Sequence, residues 1–226
     1  MAKKNNKTED QFQQVEEALT RTEQFIEDNH KLLIRLVGGV VLIIALILGF
    51  KQFYLEPMEE NAQADMFMAE LYFQKDSFNL ALNGDGQYYG FLDIISDYSL
   101  SKTGKLANYY AGLSYLHLGE YENAIDYLKD FSSNDIILSS LALGCIGDAY
   151  MELGDSDKAL NYYEDAADNS DNELTHPMFL FKQAMIHEID ENYSDALQLY
   201  NTIKNEYKSS REANGIEKYI SRIENR

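Results

Sequence analysis

The stretch Leu106-Ala107-Asn108-Tyr109-Tyr110-Ala111-Gly112-Leu113-Ser114-Tyr115-Leu116-His117-Leu118-Gly119-Glu120-Tyr121-Glu122-Asn123-Ala124-Ile125-Asp126-Tyr127-Leu128 decides the fold, because its landmarks return. Thirty-five residues after Gly112, Tyr115, Gly119, Ala124 and Leu128 stand Gly147, Tyr150, Gly154, Ala159 and Tyr163, with no gap. Such a period marks a helical repeat whose units bury their apolar faces by stacking. Glycine at 112 and 147 lets a first helix approach its partner closely, and Ala124 and Ala159 are the small residues facing that contact. Tyr115, Tyr150, Leu128 and Tyr163 fill the gaps between helices. Gly119 and Gly154 fall where the first helix must stop, a place that favours a left-handed cap. Before the second helix Tyr121 stands in one copy but Ser156 in the other, so the echo is imperfect.

The register resembles the tetratricopeptide repeat. A third copy starts at Thr175-His176-Pro177, with proline suited to a helix's first turn, and continues through Ala184, His187, Ala196, Tyr200 and Ile203; its turn lacks the glycine. A degenerate first copy fits Ala69, Tyr72, Phe78 and Ala81. Its second helix is predicted to break at Asn83-Gly84-Asp85-Gly86 and to resume at Phe91. Ile216, Tyr219, Ile220 and Ile223 lie on one face of a helix within residues 213–226 that would cap the open end of the stack. The expected repeats lie near 62–98, 105–138, 140–173 and 177–210.

Ahead of the repeats, residues 36–50 (Leu-Val-Gly-Gly-Val-Val-Leu-Ile-Ile-Ala-Leu-Ile-Leu-Gly-Phe) hold no charge. Counted from Leu32, the run would rise about 28 Å as a helix, near the thickness of a bilayer core. Arg35 can snorkel to the headgroups and Lys51 guards the far end, with Phe53 and Tyr54 where interfacial aromatics sit. The other readings are a buried core helix and a signal peptide, against which stand the lack of charge and the absence of a small-x-small cleavage site. Arg21, Lys31 and Arg35 precede the run and only Lys51 closely follows it, so the amino terminus is expected in the cytoplasm and the body across an inner membrane, in the periplasm. The expected division is a head of residues 1–31, a transmembrane helix over 32–55, and a periplasmic repeat domain over 56–226. The predicted fold class is all-α, an amphipathic and transmembrane helix followed by a tetratricopeptide solenoid of helical hairpins.

In the head, residues 1–7 read as disordered, Thr8-Glu9-Asp10-Gln11 has the form of a capping box, and Phe12, Val15, Leu19, Phe25 and Ile26 recur at helical spacing. That stripe would meet either the inner leaflet or a partner's cytoplasmic surface. Glu16, Glu17, Glu23, Glu27 and Asp28 would be repelled by anionic lipid, which favours the protein contact.

Charge is lopsided along the 226 residues. Residues 1–55 carry seven Lys/Arg and seven Asp/Glu, whereas 56–226 carry twelve and thirty-one, so the body holds the whole net charge of −19. That excess excludes a phosphate-backbone binder. Cys145, the only cysteine, allows no internal disulfide and reads as a small buried hydrophobe.

Chemistry is sparse. His187-Glu188 opens like a zinc-protease HExxH, but Glu191 stands where the second histidine should be. His30, His117 and His176 are scattered and read as surface or packing residues, residues 83–86 lack the ligands of a calcium loop and the lysine of a phosphate loop, and no Gly-x-Ser-x-Gly elbow occurs. No enzyme and no cofactor are expected. A surface is expected instead: Met66, Phe73, Tyr109, Leu113, Leu116, Leu141, Met151, Met178, Phe181 and Met185 lie offset from the packing landmarks on the first helices, which line the concave side of such arrays. Methionine and aromatics suit adaptable contacts, although the same residues could equally pack between neighbouring hairpins.

With Thr22-Glu23-Gln24-Phe25-Ile26-Glu27-Asp28-Asn29, then Ala81-Leu82-Asn83-Gly84-Asp85-Gly86 before Tyr109-Tyr110-Ala111-Gly112, the chain is similar to the YfgM-like proteins in the form found in Bacteroidetes. The resemblance implies an inner-membrane protein that accompanies the SecYEG translocon and a PpiD-like periplasmic chaperone and handles exported, unfolded polypeptides. It offers no catalytic residues to carry over. The alternative is a membrane-anchored scaffold for another cell-envelope complex.

Overall fold

The computed structural model describes the backbone of residues 5–169 and 171–225, with the side chains of 5–22 and 27 outside the described residues. The chain forms two compact units, Met1–Glu56 and Pro57–Arg226.

In the first unit helix α1 covers Asn5–Phe50, followed by a π-helical turn at Lys51–Leu55. The amide of Glu56 donates back to the Lys51 carbonyl, the wider ring of a π turn, and Phe50 stacks on Tyr54 with ring centroids 5.0 Å apart. The helix already includes residues 5–7, which the sequence predicts as disordered; helix extends cheaply from a long downstream segment once it is nucleated. It therefore also contains Thr8-Glu9-Asp10-Gln11, so that motif does not start the helix. The side chains of that motif and of Phe12, Val15 and Leu19 lie outside the described residues. From Leu36 to Phe50 the large apolar side chains are all 48–65% exposed. The helix is long and apolar enough to cross a membrane once.

The second unit is a ladder of hairpins with no strand among the described residues. Its helices are α2 (Glu56–Gln74), α3 (Phe78–Asn83), α4 (Phe91–Asp97), α5 (Lys102–Leu118), α6 (Tyr121–Asp130), α7 (Ile136–Glu152), α8 (Ser156–Asp168), α9 (His176–Ile189), α10 (Tyr193–Glu206) and α11 (Ile216–Glu224). From α5 on, each helix packs on the next in chain order.

The landmarks do what their chemistry requires. A Cβ on Gly112 would lie 2.5 Å from Leu128 Cγ and one on Gly147 2.5 Å from Tyr163 Cε1, so only hydrogen fits where first and second helices cross. Across that crossing Ala81, Ala124, Ala159 and Ala196 are all fully buried. Each hairpin turn uses one hydrogen-bond pair around a residue with positive φ. The residues are Asp76 (φ 56°), Gly119 (77°), Gly154 (77°) and Glu191 (61°). In each, that residue's amide donates to a carbonyl three back and the next amide to one five back, as in Gly119 to Leu116 and Glu120 to Tyr115. The two turns without glycine thus keep the geometry and place Asp76 and Glu191 in a backbone region that disfavours side chains.

The interrupted first copy has a local cause. Gly84 and Gly90 bring two backbones together so tightly that a Cβ on Gly90 would sit 2.2 Å from the Leu82 carbonyl oxygen. Between them Asp85 Oδ1 accepts the amides of Gln87 and Tyr88, and Tyr72 Oη donates to Asp85 Oδ2 at 2.8 Å. Residues 83–86 are a turn held by a side-chain cap.

The first copy is fastened to the second by Glu59. Its carboxylate accepts the amides of Lys102 (2.7 Å) and Thr103 (3.1 Å) and the Thr103 hydroxyl, capping the start of α5 from another helix. At the other end α11 buries Ile216, Ile220 and Ile223 against the last hairpin and closes the core.

Candidate interaction face

The ten first-helix residues divide by burial. Met66 is 3% exposed and belongs to the core around Phe91 and Ile94. Phe73, Tyr109, Leu116, Leu141, Met151, Met178 and Phe181 are half-buried and packed against core clusters. Phe73 meets Phe78, Phe91, Tyr110 and His117 at 5.3–6.3 Å between centroids, and Phe181 meets Tyr219 at 4.9 Å. Leu113 is half-buried and Met185 is 43% exposed. A first helix has two flanks pressed by neighbours, so most side chains offset from the landmarks serve the ladder. Met185 is the residue of the set most open to solvent.

Two clefts open on the first-helix side. Near α9, about 340 Å³ is lined by Met185, Glu188, Ile189, Tyr193 and Arg222. Ile189, 69% exposed, was not singled out by spacing because it lies past the last landmark of its helix. Glu188 accepts hydrogen bonds from Arg222 Nη2 (2.6 Å) and Tyr200 Oη (3.3 Å), which fixes the charge at the cleft wall. The second cleft, about 350 Å³, lies between α2 and α5 and is lined by Gln63, Met66, Glu70, Lys102 and Leu106. Burial holds the Glu70 carboxyl above its ordinary range. The first cleft sets Met185 and Ile189 among Glu188, Glu191 and Arg222, and the second sets Met66 and Leu106 among Glu59, Glu70 and Lys102, so both are surfaces of mixed polarity.

The polar residues raised by sequence take structural roles. His117 stacks flat on Phe78 at 4.3 Å, and His176 Nδ1 pairs with the Ala167 carbonyl oxygen at 2.9 Å while its ring stacks on Tyr207. Glu191 forms the left-handed turn after α9, so it could not stand on that helix as a ligand beside His187. Cys145 is half-buried rather than fully buried, and burial pushes its thiol up to about 12, which makes it a poor nucleophile. Asp148 accepts the Tyr163 hydroxyl at 2.6 Å and pairs with Lys182 of α9, tying two hairpins. No group of three His, Cys, Asp or Glu side chains among the described residues is arranged to hold a metal ion.

The comparisons agree with this architecture. Models described as tetratricopeptide repeat match residues 106–135 and 146–210. No curated protein matches the chain. The chain therefore carries tetratricopeptide repeats, and such repeats form scaffolds that bind other proteins.

Proposed function

We propose that this chain is a single-span inner-membrane protein whose repeat domain stands in the periplasm as an ancillary subunit of the SecYEG translocon, contacting translocon and chaperone partners and emerging polypeptides. The observation that carries the reading is the pairing of an uncovered apolar helix, 48–65% exposed from Leu36 to Phe50, with a ladder whose clefts set Met185, Ile189 and Leu106 among charged side chains. A tether raises the effective concentration of such clefts near emerging chains, so weak contacts suffice. The resemblance to YfgM-like proteins supplies the identity of the partners, and the cationic flank Arg21, Lys31 and Arg35 supplies the orientation.

Photo-crosslinking in native membranes tests it, with a benzophenone amino acid at Val41 or at Met185. The expected adducts are translocon subunits from Val41 and newly exported chains or a periplasmic chaperone from Met185. Exclusive capture of an unrelated folded envelope protein at both positions would overturn the assignment, as would protease access to the repeat domain only from the cytoplasmic side.

A further inference from the structure

A third cleft lies over α7, between the second helices α6 and α8. It encloses about 250 Å³, floored by Leu128, Phe131, Ala142, Leu143 and Ile146 and walled by Ser139 and Tyr162. That volume falls below the range of sites for whole small molecules, about 300–1,000 Å³, and suits a single buried anchor side chain.

Lys129 stands at its edge. Its ammonium sits 5.8 Å from the Tyr150 ring centroid and 5.9 Å from that of Tyr162, and donates to Tyr150 Oη at 3.5 Å. The two rings are themselves stacked at 5.4 Å, so the lysine is held by a rigid aromatic pair. Among the described residues no carboxylate pairs with it, which it shares with Lys102, Lys105 and Lys218, whereas Lys158, Lys182, Lys204 and Arg222 have acidic partners. In a domain with twelve cations and thirty-one anions, a positioned cation without a carboxylate beside an apolar cleft is an unmet complementarity.

We propose that this cleft is a further docking site, sharing no lining residue with the two clefts above, which takes one leucine-sized apolar side chain of a partner protein with an adjacent carboxylate on Lys129. Tyr150 and Tyr162 position the ammonium, and the floor desolvates the anchor. The site does not depend on which partners the first-helix clefts bind.

Fluorescence anisotropy on the full chain in detergent micelles tests it. The probes are two labelled dodecapeptides, identical but for a central Leu-Glu or Leu-Lys. The Leu-Glu peptide should bind about tenfold more tightly. Lys129→Glu should reverse the preference, and Lys204→Glu, which alters a lysine on α10 paired with Glu217 and away from the cleft, should leave it intact. Ser139→Phe, which fills the cleft and leaves the lysine in place, should abolish binding of both peptides, and it decides the matter if Lys129→Glu melts early. Equal affinity for the two peptides, no binding of Leu-Glu near about 1 mM, or unchanged binding to Ser139→Phe overturns the proposal.

Discussion

Gly144→Ala is the sharpest test of how the hairpins stack. On an ordinary helix this change stabilises by about 1 kcal/mol, because alanine loses less backbone entropy than glycine. Here the new Cβ would lie 2.0 Å from Cε1 and 2.3 Å from Cζ of Phe179 on α9. Phe179 cannot yield, since it is 1% exposed and stacks on Tyr163 at 6.2 Å. Overpacking of this kind costs about 1–3 kcal/mol, and a contact this short belongs at the upper end, so the net effect is a loss of about 1–2 kcal/mol. For a domain of this size that lowers the melting temperature by roughly 2–8 °C. Thermal melts of the full chain in detergent, followed by near-ultraviolet circular dichroism of the tyrosines, read the change. A Phe179→Leu background, which removes the clashing ring atoms, should turn Gly144→Ala from destabilising to neutral or stabilising, a coupling of about 1–3 kcal/mol. If Gly144→Ala raises the melting temperature in both backgrounds, the inferred close packing of α7 on α9 is wrong.

Three further outcomes follow from single contacts. Glu191→Gly should stabilise by about 0.5–1 kcal/mol in the same melts, because glycine adopts the left-handed turn at φ 61° without the side-chain penalty; a lower melting temperature would refute that strain. At Glu59, burial pushes the carboxyl up but hydrogen bonds from Gln63, Thr103 and Lys102 outweigh it and leave it below its ordinary value. A depressed folded value means its stabilisation is present above the ordinary carboxylate range and is lost as pH falls through the depressed one, so Glu59→Gln should cost about 1 kcal/mol at neutral pH and flatten the acid limb of a melting-temperature profile. Cys145, with its thiol pushed up to about 12, should react with a maleimide far more slowly in the folded chain than in denaturant at neutral pH; equal rates would show an accessible thiolate.

Much of the ladder is legible in the chain because its constraints are local and periodic. A glycine or alanine at 69, 112, 147 and 184, and an alanine at 81, 124, 159 and 196, mark helix crossings that admit little or no side chain, and the thirty-five-residue echo from 112 to 147 and from 124 to 159 ties the two middle copies together. The uncharged run from Leu36 to Phe50 declares its length and apolarity without any partner. Spacing also puts ten residues on the first helices, yet cannot say which flank of a helix a neighbour covers. That is why Met66 and Phe181 prove to be packing residues and Met185 and Ile189 the open ones.

What only the tertiary structure decides is which distant groups meet. Glu59 reaches Lys102 and Thr103 across more than forty residues, Gly144 answers to Phe179, and Lys129 finds the rings of Tyr150 and Tyr162. Periodicity encodes the helices because it depends on neighbours along the chain. The caps and clefts depend on the angle at which finished hairpins rest on one another, which no single stretch contains.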